Sequence, residues 1–132
     1  MGVFRRRFDL ATRAHNELVD ITREVQQIVS ESGLRDGLCS VFTPHATAAI
    51  TINENDDENI GADFVKAMSK MVVEHDDWLH DRVDNNAAAH IKSALMGPSE
   101  TIRSRRGNWR WAPGKTFSSA NSTGRDASGG SS

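Results

Sequence analysis

In Thr43-Pro-His-Ala-Thr-Ala-Ala-Ile-Thr-Ile-Asn-Glu54 an imidazole is followed by small residues, an apolar alternation and an amide–carboxylate pair. The alternation predicts a buried strand over 48–52 with a polar group at each end. Pro44 fixes its own φ and stiffens the approach of His45. Asn53 and Glu54 stand where the strand must stop, before the acidic run Asn55-Asp-Asp-Glu58. Strand ends and the loops after them are where sites are built on a rigid scaffold. His45, Asn53 and Glu54 are therefore the first candidate catalytic residues.

Working outward, Leu38 to Thr43 is a β-type run that follows the turn Arg35-Asp36-Gly37. Before it, Val25, Ile28 and Val29 at helical spacing predict a helix with Thr22 as N-cap and Gly33 as its stop. Phe4, Phe8 and Leu10 alternate with charges and predict a strand over 3–10, with a turn at 11–17. Beyond the central strand, Asp57 is expected to cap a helix carrying Ile60, Phe64, Val65, Met68, Met71 and Val72. Glu74 to Asp81 reads as a loop. Asn85 or Asn86 is expected to cap a short helix, Ala87 to Leu95, ending at Gly97-Pro98. A last strand is expected at Thr101-Ile102. This order is α+β rather than alternating βαβ.

The chain has 132 residues, 37% hydrophobic and 26% charged, which bounds it to one soluble domain with a proper core. No stretch approaches a membrane span or a signal-peptide core, so the expectation is a cytoplasmic protein with no membrane partner. Cys39 is the single cysteine, which excludes a disulfide framework. The net charge of −2 conceals an asymmetry, +5 over 103–132 and −7 over the rest. An acidic body argues against nucleic acid as a natural partner.

From Arg103 onward there is no Val, Ile, Leu or Met, and seven serines and five glycines accumulate. Such a composition does not offset the entropy of ordering a backbone, so residues 103–132 are expected to be a disordered tail after a domain at 3–102. Trp109, Trp111 and Phe117 among basic residues leave open a nucleic-acid-binding arm. A third reading is a frameshift. If one base was lost at the codon for residue 103, the free third bases permit the original PVATGKLALGTWEDIFFCEFDGPR. That string has strand alternation, a turn and an aromatic-rich apolar segment.

Residues 43–54, together with His80-Asp81, Asn86-Ala-Ala-Ala-His90 and Leu95-Met-Gly-Pro-Ser99, resemble the YjbQ (UPF0047) family over about residues 3–102. The shifted-frame string resembles the family's closing GTWQ and EFDGPR motifs. The resemblance implies a β-sandwich with helices that forms a homotrimer. It also implies secondary thiamine-phosphate synthase activity, a transferase reaction joining a pyrimidine diphosphate to a thiazole phosphate. The family's positions carry over onto His45, Asn53, Glu54, His80, Asn86 and His90. Ala46 departs from the threonine usual there, and the closing strands are absent from the translated chain.

His45, His80 and His90 come from three separate segments; neutral imidazoles that converged would suit a divalent metal, zinc or magnesium. Glu54 has three open roles: general base, imidazole-orienting carboxylate or helix-entry charge. Asn53 would donate to an oxyanion or satisfy a turn. Asn86 is the candidate for binding substrate or cofactor. The competing function is a non-catalytic oligomeric module that binds a metal or small ligand.

Overall fold

The computed structural model describes residues 2–54, 56–109 and 115–121. Among the described residues, six strands form two three-stranded antiparallel sheets. In the first, β1 (Glu17–Asp20) and β3 (Ala48–Glu54) flank β6 (Lys115–Asn121), with Val19 and Ile50 both opposite Ser119. In the second, β2 (Gly37–Phe42) pairs with β4 (Ser99–Arg105), which pairs with the short β5 (Asn108–Trp109). Three helices, α1 (Thr22–Ser32), α2 (Asn59–Met71) and α3 (Ala87–Met96), complete the α+β architecture expected from the sequence.

The core joins α1 to both sheets. Ile21, Val25, Ile50 and Ile102 are buried together, and Phe8, Leu10, Val19, Cys39, Val41 and Ile52 pack around them. Burial raises the pKa of the Cys39 thiol, which keeps it protonated and unreactive. β3 is also stitched to the turn after α3. The Ile50 N–H donates to the Gly97 carbonyl at 3.1 Å, and the Thr43 N–H donates to the Pro98 carbonyl at 2.9 Å. These bonds satisfy backbone groups just before β3 and within its buried half.

Helix boundaries follow local chemistry. Gly33 ends α1 in the left-handed region at φ 68°, where a side chain is disfavoured. The expected N-cap, Thr22, is the first helical residue instead, and its N–H is accepted by Asp20 Oδ1 at 2.9 Å. Asp57 likewise accepts from the Asn59 N–H at 2.9 Å although Glu58 occupies the cap position of α2. In both cases a carboxylate one residue further out does the capping.

Three expectations change. Residues 2–13 carry no regular structure, and the first strand is Glu17–Asp20. Phe8 and Leu10 still reach the core, but this backbone joins no ladder, so the alternation recorded packing rather than pairing. The expected loop at 74–81 contains a 3₁₀ helix, Leu79–Arg82. In the region expected to be disordered, β4 runs on to Arg105, and β5 and β6 are strands. The open edges of β1 and β3 provide a slot whose backbone ladder accepts any sequence without proline. The rest of that tail, 110–114 and 122–132, lies outside the described residues.

Candidate functional site

α3 follows from its composition: three alanines favour the helix, and Gly97-Pro98 ends it. Ala88, Ala89, Lys92 and Ser93 form its buried stripe. His90 stands beside that stripe, half-buried, one turn after Asn86. The 3₁₀ helix brings His80 against it, with ring centroids 4.9 Å apart and the rings at 89°. Asp84 Oδ2 lies 3.9 Å from His80 Nε2. Asn86 occupies the N-cap position of α3, yet its side chain makes no capping bond. Its Oδ1 is buried and has no hydrogen-bond partner. A buried acceptor left unmatched costs about 1–3 kcal/mol, which makes it a place where a ligand's donor gains most.

The other expected residues are placed elsewhere. His45 lies in the β2–β3 connection and lines a cleft of about 560 Å³. That cleft is walled by α1, β2, Ile50 and the N-terminal segment, with Arg5, Arg6 and Arg7 along it. Asn53 and Glu54 end β3. At about 3.3 Å per residue, β3 holds the His45 end and Glu54 about 20 Å apart. Asn53 Oδ1 accepts from the Glu54 N–H at 2.8 Å, the turn role open to it, and Glu54 is exposed. The structure thus brings His80, His90 and Asn86 together, and leaves His45 and Glu54 at opposite ends of one strand. Among the described residues no three His, Cys, Asp or Glu side chains form a group able to hold a metal ion. The His80–His90 contact is edge to face.

A second polar cluster escaped the sequence reading. Lys92 is 4% exposed, and its Nζ donates to Glu74 Oε1 at 2.8 Å and Asn16 Oδ1 at 3.4 Å. Asn16 Nδ2 donates to Glu74 Oε1 at 3.3 Å, and His15 Nε2 lies 3.4 Å from Glu74 Oε2. Burial by itself would raise the Glu74 pKa. The hydrogen bonds from Lys92, His15 and Asn16, with the Lys92 charge, outweigh it and hold the carboxyl below its usual value. The cluster ties the entry to β1, the α2 exit and α3 together, which fixes the helix carrying His90. The available signal was a lysine on the i, i+4 stripe of small residues in α3.

An α+β sandwich with a helix-borne histidine pair at a 3₁₀ turn defines the class of protein. The chain belongs to the UPF0047 protein YjbQ-like family, whose profile matches residues 6–113. A UPF0047 protein of Methanocaldococcus jannaschii is 38% identical over 96 residues, covering 73% of this chain and 68% of that protein. UPF0047 protein YugU of Bacillus subtilis is 34% identical, covering 70% of each chain. The fold agrees with solved structures. An uncharacterized YjbQ/UPF0047 protein of Clostridium acetobutylicum superposes with a TM-score of 0.86 at 36% identity, over 90% of this chain and 92% of that one. A YjbQ-like protein of unknown function from Sulfolobus solfataricus also gives 0.86, at 29% identity, over 90% and 86%. Among the described residues no helix is long and apolar enough to cross a membrane.

Proposed function

We propose that the cluster of His80, His90 and Asn86 binds a small polar substrate, and that its chemistry is that of a secondary thiamine-phosphate synthase. The observation that carries the binding reading is the buried, unpartnered Asn86 Oδ1 one helical turn from the paired imidazoles. The two rings offer donors to a phosphate or acceptors to an amine, according to their protonation. The reaction class comes from the family resemblance. His45, Asn53 and Glu54 are the proposed catalytic residues. Because β3 separates His45 from Glu54, their joint action requires a second copy of the chain in a trimer, as does a zinc or magnesium site built from His45, His80 and His90.

A second reading, a non-catalytic ligand-binding oligomer, is favoured by the exposure of Glu54 and by the use of Asn53 Oδ1 within its own turn. The test is to incubate the chain, and a version carrying the shifted-frame C-terminus, with pyrimidine diphosphate and thiazole phosphate. Thiamine phosphate formed by the restored version and lost in His90→Ala supports the enzyme. Saturable binding of thiazole phosphate without product supports the second reading. Absence of both overturns the assignment of this cluster.

A further inference from the structure

α3 has an N-cap residue of the favoured type, Asn86, that does not cap it. The first amide of the helix is instead bonded from outside it. The Ala87 N–H donates to Asp81 Oδ1 at 2.9 Å. Asp81 sits within the 3₁₀ helix, between His80 and Arg82. One carboxylate therefore ties the residue next to His80 to the first residue of the helix that bears His90. It is a charge-assisted bond to a helix N-terminus, where the macrodipole also favours a negative group.

The tie fixes the 3₁₀ turn against α3, and with it the edge-to-face contact of the two imidazoles. Beside it, Asn86 Oδ1 stays buried and unpartnered. No element other than Asp81 is seen to link the two histidine-bearing segments by a side-chain bond among the described residues. The 3₁₀ helix is otherwise held by local backbone bonds, Asp81 N–H to Trp78 and Val83 N–H to His80. A four-residue 3₁₀ helix has poor internal geometry and needs such an anchor to keep one orientation.

We propose that Asp81 is the positioning residue of this cluster: tying the first amide of α3 to the preceding turn, it sets the His80–His90 pair beside the unpartnered Asn86 carboxamide oxygen. The proposal rests on the binding reading above only for what the ligand is; the geometry stands without one.

The experiment compares Asp81→Ala with Asp81→Asn, which keeps an acceptor oxygen at the same reach. Nuclear magnetic resonance reads the ring-current shifts and ring-to-ring contacts of His80 and His90, and amide exchange at Ala87. Asp81→Ala is expected to abolish the ring-to-ring contacts and to speed Ala87 exchange by about fivefold or more, the size of a lost cap. Asp81→Asn is expected to keep both near wild type. If the alanine variant does not fold, Asp81→Ser, whose shorter side chain falls short of the amide, replaces it with the same expectation. Retained ring contacts in the alanine or serine variant would overturn the proposal. So would an asparagine variant that behaves like alanine. The expected loss of ring contacts in Asp81→Ala, with no thiazole phosphate bound by the wild type, would instead count against the binding reading alone.

Discussion

Position 119 tests where the first sheet lacks apolar volume. Ser119 of β6 is opposite both Val19 and Ile50, and directly opposed residues in antiparallel strands share a face. Ile50 is buried in the core and lines the 560 Å³ cleft. Ser119→Phe therefore adds apolar volume at the register position opposite Val19 and Ile50, two residues of the core next to that cleft. Burying a phenylalanine side chain contributes about 1.5–3 kcal/mol. Ordering it costs about 0.5–1 kcal/mol, by comparison with other apolar side chains. The net stabilisation is about 1–2 kcal/mol, a rise in Tm of roughly 3–10 °C for a domain of this size. The neighbouring position gives the opposite sign. Ala120 is opposite Leu18 and Ala49, where Ala49 is 1% exposed and the cavity that both line is only about 30 Å³. Ala120→Phe overpacks that face and is expected to destabilise by about 1–3 kcal/mol. Differential scanning calorimetry of both variants beside wild type decides. A lowered Tm for Ser119→Phe, or shifts of the same sign in both, would refute the assignment of faces and the account of the cleft as missing core.

Replacing residues 103–126 with the shifted-frame string puts isoleucine and phenylalanine at 117–119 of the central strand; the expected outcome is a higher Tm and a trimeric mass by light scattering, where an unchanged Tm would count against the frameshift. Lys92→Met leaves Glu74 without its main partner and is expected to cost about 2–4 kcal/mol in urea unfolding, below the range for a fully buried pair because the Glu74 side chain is 34% exposed. Adding Glu74→Leu to that variant should recover most of the loss. Because the folded-state pKa of Glu74 is depressed, its contribution is present above the ordinary carboxylate range and is lost as pH falls through the folded value. Glu74→Gln should therefore flatten the acid limb of a Tm-against-pH profile, and an unchanged limb would remove Glu74 from acid unfolding.

The helices and the central strand were legible because their signals are local. Gly33 and Gly97-Pro98 punctuate the chain, and the alternation in Ala48–Ile52 needs no knowledge of its neighbours. The first strand was misplaced because Phe4, Phe8 and Leu10 mimic a pairing pattern while only packing, and Glu17–Asp20 is a strand because β6 passes beside it. That dependence on a partner far along the chain is what a local pattern does not carry. The tail shows the converse. A composition with no Val, Ile, Leu or Met predicts no order, yet Lys115–Asn121 fills the slot between two strands that each present an unpaired edge. Backbone hydrogen bonding defines the slot, and side chains decide how firmly it is held. At the candidate site the residue types were legible and the roles were not. His80 and His90 meet because of an aspartate whose acceptor reaches past its own histidine to the next helix. A sequence shows that Asp81 adjoins His80; only the fold shows that it serves His90.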